Sequence, residues 1–177
     1  MVKKESGFSL IETLIAMAIL ATGLLSLAAV FAMGLNQLRG SSASLIAREK
    51  AREAVESVHT ARDTRVIPWA QIKNAGNGGV FLAGAQPLRQ AGDDGLVNTA
   101  DDGDVEVSLA PGDDNILGTS DDVTTPMDTY TRTIAITDIV TNGVTNPSIR
   151  RLVVTIGYRV GDSQRTYTLT TYISRIS

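Results

Sequence analysis

The chain has 177 residues and a formal net charge of −3, so its mean charge does not mark a nucleic-acid binder. It contains no cysteine, which excludes disulfide bonds and thiolate metal sites. The mean charge hides one strongly acidic segment. Residues 91–128 hold ten aspartates and one glutamate but no lysine or arginine, which gives this acidic loop a charge of −11 and the remainder +8.

An uncharged apolar run follows a short basic N-terminus. Lys3 and Lys4 come first, Glu12 stands at the front of the run, and residues 13–38 carry no charge. A helix needs about 20 apolar residues to cross a bilayer, which this run provides. The positive-inside rule then places the N-terminus in the cytoplasm. Two simpler interpretations are an ordinary single-pass anchor and a secretory signal peptide, with a small-x-small site at residues 26–28.

The six residues GFSLIE at positions 7–12 resemble the leader-cleavage motif of type IV pilins and pseudopilins. A basic leader ends at Gly7, Phe8 would begin the mature chain, and Glu12 would be its fifth residue. The apolar run resembles the N-terminal helix of that family. Its stretch ILATGLLSLAAV is most similar to the minor pilins called PilV. The resemblance covers roughly the first third of the chain.

The resemblance implies a leader over residues 1–7 and a transmembrane and polymerisation helix over residues 8–40. A prepilin peptidase would cut between Gly7 and Phe8 and methylate the new amine. A charged side chain in the bilayer costs about 2.5–3.5 kcal/mol on insertion scales, so it needs a partner. In a fibre, the partner of Glu12 would be the Phe8 amine of a neighbouring subunit. The alternative is that Glu12 reaches the membrane interface alone.

Residues 41–64 continue with helical spacing after the apolar run. Their apolar residues recur every three or four positions and form a narrow stripe, with charged residues on the other faces. The stripe comprises Ala47, Ala51, Val55 and Val58, with Ala54 and Ala61 beside it. This pattern predicts an amphipathic helix whose stripe packs against a sheet.

The acidic loop contains an internal repeat. GDDGLVNTADD at residues 92–102, the first acidic repeat, is followed by GDDNILGTSDD at residues 112–122, the second acidic repeat. Closely spaced carboxylates repel one another unless they are neutralised, and calcium takes about six to eight oxygen ligands. The candidate calcium ligands are Asp93, Asp101, Asp102, Asp113, Asp121 and Asp122. The alternative is that Asp, Gly and Asn form turns through hydrogen bonds between side chains and backbone.

Three segments near the C-terminus alternate apolar and polar residues, at 130–140, 150–160 and 165–176. Alternation with period two predicts strands with one apolar face, and the short connections predict an antiparallel meander. The stripe of the amphipathic helix is the natural cover for that face. The predicted fold class is therefore α+β, with a long N-terminal helix packed on a C-terminal antiparallel sheet in a β-rich head at residues 65–177. This layout agrees with the pilin fold.

These features predict a structural protein rather than an enzyme, because one histidine and no cysteine leave few catalytic candidates. The resemblance implies a minor subunit of a type IV pilus, held in the bacterial inner membrane with a periplasmic head before it enters a surface fibre. Its partners would be other pilin subunits, prepilin peptidase, the inner-membrane assembly machinery and membrane lipid. The alternatives are a type II secretion pseudopilin and a fibre-displayed adhesin. The acidic loop disfavours nucleic acid as a partner.

Overall fold

The structure is a computed structural model that describes residue 7 and residues 9–175. Its first element is one long helix. This helix, α1, spans Leu10–Thr64 and contains 55 residues. The chain divides into two compact units, residues 1–41 and residues 42–177, and α1 contributes to both.

The part of α1 that lies in the first unit is apolar on all sides. Its most apolar stretch of 18 residues is not buried against any other described part of the chain. Large side chains such as Leu10, Phe31 and Met33 are largely exposed. A helix that is hydrophobic all round is normally covered by lipid or by other protein. Within the described residues, α1 is the one helix that is long and apolar enough to cross a membrane.

The described part of the second unit contains six strands and two short 3-10 helices. The strands are β1 (Gln86–Pro87), β2 (Val107–Ala110), β3 (Val123–Pro126), β4 (Thr131–Thr141), β5 (Val144–Val160) and β6 (Ser163–Ser174). Four strands form an antiparallel sheet in the order β1–β4–β5–β6, while β2 and β3 form a separate two-stranded sheet. The predicted meander is confirmed as β4–β5–β6. The two-residue strand β1 adds an edge that the sequence did not indicate.

A tight hairpin turn joins β4 to β5. Asn142 and Gly143 connect the two strands, and both have positive φ, at 52° and 78°. An Asn-Gly pair is typical of two-residue hairpin connections, because both residues tolerate a left-handed backbone. This turn lets the two strands pair beyond their predicted limits, so β5 begins at Val144 rather than at residue 150.

The core of the head lies between the long sheet and the part of α1 that belongs to the second unit. The helix buries Ala47, Ala51, Ala54, Val58 and Ala61, and the sheet buries Ile134, Ile136, Leu152, Val154, Ile156, Tyr158 and Ile173. Alanines keep this helix face smooth, so the helix can approach the sheet closely. The predicted α+β fold is confirmed. The buried face is slightly rotated from the predicted stripe: Val55, which the sequence places in the stripe, is only partly buried, whereas Ala54 and Ala61, which it places beside the stripe, are buried.

Candidate processing, assembly and acidic-loop sites

Glu12 lies in the first turn of α1 and contacts the residue that precedes the helix. Its Oε2 accepts a hydrogen bond from the backbone N–H of Ser9 at 3.0 Å, and the Ser9 Oγ accepts one from the Glu12 N–H at 3.3 Å. These reciprocal bonds form a capping box, which satisfies backbone donors that the start of a helix leaves unpaired. The carboxylate also interacts favourably with the positive end of the helix dipole. Glu12 therefore has a partner within its own chain.

The sequence carries a signal for this cap that the prediction missed. A serine followed three residues later by a glutamate, directly before an apolar run, is typical of a capping box. Gly7 is exposed in the structure, and Phe8 lies outside the described residues. Cleavage between these two residues, and pairing of Glu12 with a neighbouring amine, stay predictions.

The first acidic repeat forms a compact loop that is held by its own carboxylates. Asp101 accepts hydrogen bonds from the Asp94 N–H at 3.2 Å and from the Thr99 hydroxyl at 2.7 Å. Asp102 accepts bonds from the backbone N–H groups of Asn98 and Thr99 at 2.9 and 3.1 Å. Such bonds stabilise a charged carboxylate, so the loop itself offsets part of the repulsion between its aspartates.

The second acidic repeat has corresponding hydrogen bonds at the same positions. Asp121 accepts bonds from the Asp114 N–H at 3.2 Å and from the Thr119 hydroxyl at 2.6 Å. Asp122 accepts a bond from the Gly118 N–H at 2.7 Å. The similarity in sequence therefore reflects a similarity in structure.

Each acidic repeat also places a left-handed residue at the same two positions. These residues are Gly95 and Asn98 in the first repeat and Asn115 and Gly118 in the second, with φ values between 57° and 90°. Glycine and asparagine adopt this conformation more readily than other residues, so exchanging one for the other preserves the backbone path. The repeat is thus a small structural unit that occurs twice.

Hydrogen bonds favour the charged form of one aspartate in each repeat. The Thr99 hydroxyl is the largest influence that lowers the pKa of Asp101 below its ordinary value of 3.8. The Thr119 hydroxyl has the same effect on the pKa of Asp121. Both carboxylates therefore stay charged to a lower pH than a free aspartate does.

The candidate calcium ligands fall into two sets of three, one in each acidic repeat. Among the described residues, no group of three or more acidic or histidine side chains converges to hold a metal ion. Hydrogen bonds within the loops account for most of these aspartates as turn formers. One oxygen is different, because Asp122 Oδ1 is buried and has no hydrogen-bond partner among the described residues. Calcium binding stays a prediction, and Asp122 of the second repeat is the candidate ligand with a buried, unpaired carboxylate oxygen.

The two acidic repeats differ in their surroundings. In the first repeat, Leu96 and Val97 are 2% and 3% exposed and belong to the hydrophobic core. The corresponding pair in the second repeat, Ile116 and Leu117, is 60% and 61% exposed. The first repeat is therefore anchored in the head, whereas the second presents the same kind of apolar pair to solvent.

A buried charged network anchors the first acidic repeat. Arg132 on β4 is fully buried and donates from Nε to Asn98 Oδ1 at 3.0 Å, while the Asn98 amide donates to the Arg132 carbonyl at 3.3 Å. Arg132 also pairs with Glu106 at 3.4 Å, and Glu106 pairs with Lys50 of α1. Buried charges are costly unless they are paired in this way. Arg132 alternates with Ile134 and Ile136 along the segment at 130–140, so the sequence predicts that it shares their face, but it gives no indication of the partners of Arg132.

Comparison with known proteins identifies the N-terminal segment. The chain has an α+β, pilin-like architecture, in which one long N-terminal helix packs against an antiparallel sheet. Residues 2–28 match the family model described as the prokaryotic N-terminal methylation motif, so the chain carries a type IV pilin-like prepilin signal. No curated protein and no solved structure is significantly similar to the chain. The particular similarity to PilV-type minor pilins stays a prediction.

Proposed function

We propose that the chain is a minor structural subunit of a type IV pilus, cut and methylated by prepilin peptidase and polymerised through its N-terminal helix. One observation carries this proposal: the methylation motif at residues 2–28 includes the start of an apolar helix segment that nothing described in the chain covers. Such a surface needs lipid or other helices around it. The membrane supplies the lipid before assembly, and a fibre core supplies the helices afterwards.

The processing chemistry belongs to the peptidase, so this chain acts as its substrate. Lys3 and Lys4 keep the N-terminus on the cytoplasmic side, and the head lies in the periplasm until the subunit enters the fibre. Cleavage exposes the amine of Phe8, which is available to the Glu12 carboxylate of a neighbouring subunit. Two opposite charges attract more strongly in an apolar bundle than in water, so this pair sets the axial register between subunits.

Fractionation of a strain that expresses the tagged chain tests the proposal. The wild-type chain is expected in fibres sheared from the cell surface. Gly7→Val removes the small residue at the cleavage site, so the variant is expected to stay in the membrane as an uncut precursor. Gly76→Val is the matched control, because Gly76 lies exposed in the head, outside the polymerisation helix, with no heavy atom within 4 Å of the added Cβ. Equal amounts of wild type and Gly7→Val in the fibres would overturn the proposal.

The same motif also favours a second candidate, a pseudopilin of a type II secretion system. A pseudopilin is processed in the same way but assembles below the outer membrane. Deletion of the gene would then block protein secretion, and the chain would be absent from sheared surface fibres. A pilus subunit gives the opposite pair of results, so the two measurements together separate the candidates.

A further inference from the structure

The second acidic repeat lies at the tip of a hairpin formed by β2 and β3. This hairpin exposes several large apolar side chains, each between 40% and 61% exposed: Val107, Leu109, Ile116, Leu117 and Val123. An isolated two-stranded hairpin is marginally stable in water, so covering these side chains would stabilise it. The tip therefore combines an uncovered apolar pair with a dense negative charge.

The first acidic repeat shows what this structural unit contacts when it is covered. Its apolar pair, Leu96 and Val97, packs into the hydrophobic core. Beside that pair, Asn98 accepts a hydrogen bond from the guanidinium of Arg132. The partner surface of the first repeat is thus apolar, with an arginine next to it. A surface that covers the second repeat must likewise be apolar where it meets Ile116 and Leu117. Because Gly118 stands in the place of Asn98, the positive charge of that surface would face the aspartates of the second repeat instead.

The head carries a second surface of that kind. A pocket of about 500 Å³ has apolar walls formed by Ile67, Trp69 and Ile72, with Arg62, Arg65 and Arg175 around them. We call it the arginine pocket. Arg65 and Arg175 are exposed, and neither forms an ion pair with the other described residues. The pocket therefore combines apolar walls with two arginines that have no ion-pair partner among the described residues.

We propose that the second acidic repeat of one subunit docks into the arginine pocket of a second copy of this chain. Ile116 and Leu117 cover the apolar walls, and the neighbouring aspartates face the arginines. Charge complementarity of this kind fixes the register of an interface and disfavours wrong partners. The exposure of Ile116 and Leu117 shows that the repeat does not use the pocket of its own chain.

The two surfaces are different patches of the head, so the contact can repeat from copy to copy. It predicts that copies of this chain occur next to one another rather than singly. The proposal concerns the head alone and does not depend on cleavage of the leader or on fibre formation. It therefore stands or falls separately from the proposed function.

Disulfide trapping tests the contact, because the chain has no cysteine of its own. Full-length Leu117→Cys and Pro68→Cys proteins, carrying different tags, are mixed in detergent with EDTA and oxidised mildly. Both residues are exposed, and Pro68 lines the arginine pocket. A mixed disulfide dimer is expected. In the control, Val144→Cys, which is also exposed but lies on the β4–β5 hairpin, replaces Pro68→Cys and should give only background.

Charge reversal tests the role of the arginines. Adding Arg65→Glu and Arg175→Glu to the pocket protein should lower the dimer yield about fivefold, since exposed ion pairs are individually weak. Adding Asp113→Lys to the Leu117→Cys protein should restore part of that yield. Unfolding curves check that each variant keeps its fold. Equal yields from the Pro68→Cys and Val144→Cys mixtures would overturn the contact, as would a yield that charge reversal leaves unchanged.

Discussion

Leu96 and Ile116 occupy the same position in the two acidic repeats, yet Leu96 is 2% exposed and Ile116 is 60% exposed. The two repeats share their local geometry. In each, the backbone N–H of Leu96 or Ile116 donates to the carboxylate of the aspartate two residues earlier, with an N–O distance of 2.8 Å. The difference therefore arises from what packs against each loop and not from the loop itself. Comparing Leu96 with Ile116 therefore isolates the effect of burial on one and the same loop structure.

Alanine substitutions at these two positions should have very different effects. Leu96→Ala should lower the free energy of unfolding of the head by about 2–5 kcal/mol, because it leaves a cavity in a packed core. Ile116→Ala should change it by less than about 0.5 kcal/mol, as expected at an exposed site. Denaturant unfolding, followed by fluorescence of Trp69, the only tryptophan, measures both. Equal losses would contradict the difference in burial.

The charged network predicts that Glu106 matters more than Glu53, although both pair with Lys50. Glu106→Gln leaves the buried Arg132 without its counter-ion and should cost about 3–5 kcal/mol. Glu53 has a side chain that is 44% exposed, so Glu53→Gln should cost less than about 1 kcal/mol. The same unfolding measurement compares the two variants. A smaller loss for Glu106→Gln than for Glu53→Gln would mean that Arg132 does not depend on that carboxylate.

Two substitutions separate the roles of Glu12 as a helix cap and as a partner for a neighbouring amine. Glu12→Gln keeps an acceptor for the cap but removes the charge, so it should reduce the amount of chain in sheared fibres. Ser9→Ala keeps the charge and loosens the first turn by about 0.5–2 kcal/mol, so fibre yield should stay close to wild type. The reverse ranking would assign Glu12 to the cap alone.

Binding of calcium by the second acidic repeat would stabilise the folded chain. Calcium is therefore expected to raise the melting temperature of the full chain, and EDTA to lower it. Asp122→Asn alters the carboxylate that has a buried, unpaired oxygen and should abolish the calcium response. Asp128→Asn, in the acidic loop but outside both repeats, should leave the response intact. If neither calcium nor EDTA changes the melting temperature, the aspartates act only as turn formers.

The parts of the fold that follow from residue periodicity were predictable from the sequence. Spacing of three and four residues predicts the buried helix face, and spacing of two predicts the inward face of β4, β5 and β6, including Arg132. The two-residue strand β1 was missed because so short an element has no period. The hairpin turn at Asn142 and Gly143 and the cap at Ser9 and Glu12 were missed although local signals for both are present.

Contacts between segments that are distant in sequence were not predictable from one chain. The acidic repeats look alike, and nothing in their residues shows that Leu96 is buried and Ile116 exposed. That difference depends on tertiary neighbours such as Arg132. The partners of Arg132 come from the acidic loop and from α1, so no local pattern connects them. For the same reason, the arginine pocket, which joins the end of α1 to Arg175, could not be found by spacing alone.

Mass spectrometry of the mature N-terminus tests the central claim most directly. The chain is purified from cells that contain a prepilin peptidase, and its N-terminal peptide is sequenced. The account predicts that the first residue is Phe8 and that its amine carries one methyl group. A chain that still begins at Met1, or one that begins at Ala29 after cleavage by a signal peptidase, would contradict it.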